Sequence, residues 1–160
     1  MKVLFLENKI LLFLGLFFSI SSFAQSDIVG KWETRDIIGY SDVLEYSLLK
    51  EKRQNNGRNV TFKPDGTFFC DASVKCLNDC FIFTYGTYTH IDNEHIQLIV
   101  KDAHFVGLTC KMKKLSKENI VRDLGVFYIY KEGETIRLIP SNGILEDDKR
   151  VSLLDQKNES

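Results

Sequence analysis

Proline is scarce in this chain, two in 160 residues, and no Pro-, Gly- or Ser-rich stretch separates one part from another. With no internal repeat either, nothing marks an interdomain linker. Charge of one sign is also lacking. The 21 basic and 22 acidic side chains nearly cancel to a net −1, so there is no field to draw nucleic acid or an anionic membrane. Lys111, Lys113, Lys114 and Lys117 cluster locally and read as a solvated face. There is no G-x-S-x-G elbow for a nucleophilic serine and no Gly-rich loop ahead of a helix to cradle phosphate. Carboxylates are plentiful, but spacing singles out no pair for hydrolysis. No catalytic residue can be named, and an enzyme is the least supported class of function.

Long apolar runs are missing as well, with one instructive exception. Ile10–Ile20 (ILLFLGLFFSI) follows a weakly positive start, Lys2 and Lys9 around Glu7, and precedes Ser22-Phe23-Ala24. Eleven residues are too few to span a bilayer, which takes roughly 20. Small side chains at Ser22 and Ala24 suit the shallow pockets of signal peptidase, so residues 1–24 read as a signal peptide cut after Ala24. Residues 25–160 are then one exported domain, secreted or periplasmic, with no transmembrane segment and enough material for a real core.

Export gives the cysteines their meaning. Cys70, Cys76, Cys80 and Cys110 are even in number and read as disulfides rather than metal ligands, because thiolates rarely stay reduced outside the cytoplasm and no C-x-x-C pair is present. Three pairings are open. If Cys70 and Cys80 lie on neighbouring strands they could pair, leaving Cys76 for Cys110.

Short apolar and aromatic runs broken by turn residues then point to β structure throughout. Ile28–Ile38 reads as a first strand. Ser41–Gln54 is ambiguous, with Leu44 and Leu48 allowing an amphipathic helix capped by Ser41. Asn59–Lys63 and Phe68–Asp71 form the clearest hairpin, about Pro64-Asp65-Gly66-Thr67. The loop Ala72–Asp79 carries Cys76. Cys80–His90 and His95–Val100 are strands about a polar turn, and Ala103–Met112 is a further strand. Ser116–Leu124 reads as a short helix stopped by Gly125, Val126–Tyr130 and Thr135–Ile139 as a second hairpin, and Arg150–Leu154 as a last strand before a fraying tail. Eight or nine sequential antiparallel strands solve their edge problem best by closing into a barrel. The expectation is an all-β, up-and-down antiparallel barrel of about eight strands with one or two short helices.

The order of these pieces resembles the lipocalin-like families of the calycin superfamily, in particular small exported bacterial ones. The residues that carry the likeness are Gly30-Lys31-Trp32 (a G-x-W motif), Phe62-Lys-Pro-Asp-Gly-Thr-Phe68, Tyr85-Gly-Thr-Tyr88, His95–Val100 and Tyr130–Arg137, over roughly residues 28 to 140. The T-D-Y motif of the main lipocalin family is absent, and the arginine that family packs over its Trp has only Arg137 and Arg150 as candidates. The resemblance implies a barrel closed at one end with a ligand cavity, and a structural role for Gly30 and Trp32, with Trp32 plugging the floor.

His90 and His95 flank a turn holding Asp92 and Glu94, a donor set that could meet a divalent ion; a hairpin tip is usually just polar, and no metal or cofactor is expected. His104 stands alone and reads as structural. Phe62, Phe68, Phe83 and Tyr88 are the candidate ligand-lining residues, although Phe83 and Tyr88 fall on opposite faces of a regular strand. The reading that follows is a protein binding a small apolar or amphipathic molecule in its barrel. The alternative is a ligand-free interaction protein, an inhibitor, immunity-type or envelope factor, meeting a protein partner through surface loops such as Ala72–Asp79.

Overall fold

The computed structural model describes residues 28–41, 43–50, 57–73, 79–112 and 121–150. The proposed signal peptide, Cys76 and most of the proposed Ser116–Leu124 helix and Arg150–Leu154 strand therefore lie outside the described residues. Eight strands follow in order: β1 Gly30–Thr34, β2 Tyr46–Lys50, β3 Gly57–Phe62, β4 Thr67–Ser73, β5 Phe81–His90, β6 His95–Val106, β7 Arg122–Glu132 and β8 Thr135–Ser141. They close into one barrel, antiparallel at every junction. From β3 to β8 each strand pairs with the next. The seam is filled by the first two, β1 beside β3 and β2 beside β8. No helix among the described residues is long and apolar enough to cross a membrane.

Antiparallel order puts the connections at two ends. One end carries the tight turns β3–β4, β5–β6 and β7–β8. The β3–β4 turn is built as its residues dictate: Gly66 sits at φ 80°, and the Asp65 carboxylate accepts the Thr67 N–H at 2.9 Å and its hydroxyl at 2.6 Å. The C-terminal ends of β1, β4 and β6 lie at the other end.

Strand alternation sorts side chains by face. Tyr46, Leu48, Val60, Phe62, Phe68, Cys70, Ile82, Tyr88, Ile96, Leu98, Val100, Phe127, Ile129, Ile136 and Leu138 meet in one buried core. Gly86, on the inner face of β5, makes this packing possible. A Cβ there would collide with the Ile99 carbonyl and the Phe68 ring.

Five expectations are corrected. Ser41–Gln54 contains strand β2, not a helix: Tyr46 and Leu48 are buried two apart, whereas Leu44, needed for a helical stripe, is 87% exposed. The first strand ends at Thr34, and residues 35–45 leave the sheet. Ala103–Met112 is the end of a long β6 followed by a 3-10 helix, Leu108–Met112. Arg122–Leu124, read as the end of a helix, opens β7, and Arg150 lies in a helical segment, residues 145–150.

Candidate functional site

The barrel interior is filled by the buried core, and its two ends are closed differently. At the turn end, Ile28 is buried in the core just before β1, and the Trp32 indole N–H donates to its carbonyl at 2.8 Å. Trp32 itself is partly buried against the core, and Gly30, at φ 139°, sits beside its indole. Arg137 is not packed over it. Arg137 lies on the outer face, pairs with Glu45 at 2.8 and 3.0 Å, and stands over the Tyr130 ring; exposed Arg150 approaches Asp147 instead.

At the opposite end, residues 35–45 form a cap. Ile37 and Ile38 are wholly buried in the core although they belong to no strand. The cap is tied to the barrel through side chains: the Thr84 hydroxyl donates to the Ile38 carbonyl at 2.8 Å, and the Gly39 N–H donates to the Tyr46 hydroxyl at 3.1 Å. A turn holds it internally, with Tyr40 and Ser41 N–H groups on the Ile37 carbonyl and the Ile37 N–H on the Ser41 hydroxyl. Gly39, at φ 79°, lies so close to Val100 that a Cβ would strike its side chain.

Beneath the cap lie two groups of note. Arg122 is paired directly across the ladder with Val100, whose side chain is fully buried, so it projects to the inner side of the sheet. Its Nε is buried and has no hydrogen-bond partner among the described residues. Tyr46 stands close enough to feel its charge. Burial holds the Tyr46 phenol above its ordinary pKa, against the Gly39 N–H and, to a lesser extent, the Arg122 guanidinium. The free Cys70 thiol is buried nearby, and burial pushes its pKa up to about 12, so it is chemically inert at neutral pH.

The residues read from the sequence as ligand-lining divide three to one. Phe62, Phe68 and Tyr88 meet in the core, with Phe62 at 5.9 Å from Phe68 and 5.3 Å from Tyr88 between ring centroids. Tyr88 also donates to the Lys63 carbonyl at 2.6 Å, bracing the β3–β4 turn. Phe83 points outward, because it alternates with the inward Ile82 and Thr84. It stacks between Phe69 and His104 on the outer wall. The cysteines are corrected too: Cys80 bonds Cys110, and Cys70 is free. Cys70 and Cys80 are not mates because Cys70 faces into the core opposite Thr84, well inside the barrel from the start of β5.

His95 differs most from its expectation as half of a histidine pair. It is 0% exposed on the outer face of β6, covered by the returning segment 141–150. Its Nδ1 meets Asp92 at 2.8 Å and its Nε2 meets Asp148 at 2.8 Å; the Ser141 hydroxyl donates to the same Asp148 oxygen at 2.6 Å. Tyr128 packs against the ring. Burial works against the imidazolium, but the Asp148 and Asp92 carboxylates outweigh it and hold the imidazole above its ordinary pKa. Asp92 is also opposed by burial, yet N–H groups of Glu94 and His95 and the imidazole hold it below the usual carboxylate range. His90, by contrast, is exposed and sits edge-on to Tyr88. No group of three or more His, Cys, Asp or Glu among the described residues is placed to hold a metal ion. A cleft of about 450 Å³ beside this cluster lies against Asn93, Glu94 and residues 128–131, outside the barrel. The sequence missed Asp148 and Arg122: one lies 53 residues from its partner, and the other sat in a segment read as a helix.

The class defined by this geometry is a closed eight-stranded antiparallel barrel, consistent with a calycin-type, lipocalin-like fold. Comparison with protein-family models, with curated proteins and with solved structures gives no match.

Proposed function

We propose that this is an exported binding protein that holds a small apolar or amphipathic molecule in its barrel, admitted where residues 35–45 cap the interior. The observation that carries the reading is the pair Ile37 and Ile38, fully buried yet supplied by a segment outside the sheet. Burying such a side chain is worth about 1.5–3 kcal/mol, and an apolar ligand taking the same place recovers that burial in kind. Exchange then costs the Thr84 and Tyr46 hydrogen bonds to the cap, while the barrel ladders stay intact. Phe62, Phe68, Tyr88 and Tyr46 are the aromatic wall such a ligand would meet, with few polar groups, as small-molecule pockets usually have. Export is supported by the apolar run Ile10–Ile20 and by the Cys80–Cys110 disulfide.

Native mass spectrometry of the protein purified from its source tests the reading. A co-purifying small mass supports it; a uniformly apo mass, with no small molecule taken up on incubation with a lipid extract, sinks it. One observation favours the second reading, a protein partner: the outer wall of β4–β6 carries the Phe69–Phe83–His104 stack and exposed Tyr85 and Val106. A bound protein in place of a small mass would favour it.

A further inference from the structure

We propose that the cleft outside the barrel is a site for a neutral saccharide, with a pyranose ring lying against Tyr128 and Tyr130 and its hydroxyls meeting Asn93, Glu94 and Lys131. The site is separate from the interior, so the proposal stands whether or not a ligand enters under the cap. Its volume, about 450 Å³, lies within the roughly 300–1,000 Å³ of small-molecule sites. Residues 128–131 of β7 supply one wall, and the turn between β5 and β6 supplies the other. Tyr128 and Tyr130, two apart on β7, both face outward, with ring centroids 6.3 Å apart. Each ring is held in place, Tyr128 against buried His95 and Tyr130 under the Arg137 guanidinium. The turn is equally fixed. The Asp92 carboxylate accepts the Glu94 N–H at 2.7 Å and the His95 N–H at 2.8 Å, and it meets the His95 ring. The Glu94 carbonyl accepts the Ile129 N–H at 2.8 Å, which ties the turn to β7. Both walls are therefore formed before a ligand arrives, and little ordering entropy is lost on binding.

The chemistry of the lining selects the class of ligand. Glu94 accepts hydrogen bonds, Lys131 donates them, and Asn93 does both. Burial, and after it the Glu94 carboxylate, holds the Tyr128 phenol above its ordinary pKa, so it stays un-ionised. The neighbouring Asp92 and Asp148 are engaged with His95. One carboxylate and one ammonium remain to offset each other across the cleft, which favours a neutral ligand over a charged one. An aliphatic chain would satisfy none of these polar groups. A ring with an apolar face and a rim of hydroxyls, each able to donate and accept, matches both the tyrosines and their polar surround.

Saturation-transfer-difference nuclear magnetic resonance on the whole protein tests the site, with maltose, cellobiose and N,N′-diacetylchitobiose as probes and sorbitol and glucuronate as comparators. At least one disaccharide should receive saturation at its ring C–H protons, with a Kd of about 1 mM or below. Sorbitol, which has hydroxyls but no ring face, should receive none. Tyr130→Leu should weaken the disaccharide about tenfold and Asn93→Ala about fivefold, the scale of a lost aromatic contact and of one lost hydrogen bond. Silence from all the disaccharides overturns the proposal. Equal saturation of sorbitol, preference for glucuronate, or disaccharide binding that either folded variant leaves unchanged also overturns it. Far-ultraviolet circular dichroism separates lost binding from lost folding, and Asn93→Ala, at an exposed position of the turn, serves should Tyr130→Leu not fold.

Discussion

Asp148→Ala is the sharpest test of how the C-terminal segment is held. The side chain is 7% exposed and makes two short hydrogen bonds, to His95 Nε2 at 2.8 Å and from the Ser141 hydroxyl at 2.6 Å. Removing one partner of a buried charged pair costs about 3–5 kcal/mol, because the other is left without compensation. Here Asp92 still reaches His95 from its half-exposed position, so the expected loss is at the lower end, about 3 kcal/mol. Urea denaturation followed by Trp32 fluorescence and by far-ultraviolet circular dichroism measures it. A double-mutant cycle with His95→Gln isolates the pair and should return a coupling of about 1–3 kcal/mol. A loss below about 1 kcal/mol, or strictly additive single effects, would refute the reasoning. The segment 141–150 would then detach independently of the barrel, and the short distances would carry no global stability.

The same cluster sets a pH dependence with a definite sign. His95 is raised, so its contribution is complete below its unfolded value and is lost as pH climbs through the folded one. Asp92 is lowered, so its contribution is present above its unfolded value and lost as pH falls through the folded one. Stability should therefore be greatest between roughly pH 4 and 6.5 and decline on the alkaline side, a limb that Asp148→Ala flattens when midpoints are measured across pH. Gly86→Ala should destabilise by about 1–3 kcal/mol in thermal melts, since the Cβ must displace the Phe68 ring or the Ile99 carbonyl. Opening Cys80–Cys110, whose sequence separation is 30, should cost about 3–4 kcal/mol against urea under reducing conditions. Cys70 should resist maleimide in the native state and react only on unfolding, as mass spectrometry of the labelled peptide would show.

What could be read from the residues depended on distance along the chain. The turn Pro64–Thr67 was legible because its chemistry is local: Asp65, Gly66 and Thr67 satisfy one another. The β7–β8 hairpin was legible for the same reason. β2 was not, because Leu44 and Leu48 have helical spacing. What settles the segment is pairing with β1 on one side and β8, some 90 residues on, on the other, reinforced by Glu45 with Arg137. Alternation alone put Phe83 and Tyr88 on opposite faces, and the barrel shows which is inside. The turn around Asp92 was recognised as polar, but Asp148, which meets His95 there, lies 53 residues further on in a stretch assigned to no element. Ile38 was assigned to a strand, although its carbonyl is bound by Thr84 46 residues away and its side chain caps the interior. Each miss is a long-range contact overriding a weak local preference.

Methyl-resolved nuclear magnetic resonance, titrating the protein with dodecanoate, tests the central claim most directly. A ligand entering under the cap should move the signals of Ile37, Ile38, Val100 and Leu124 and leave exposed Ile91 and Leu108 unmoved. Saturating dodecanoate that leaves Ile37 and Ile38 unchanged, or that shifts only the outer-wall signals, would contradict it.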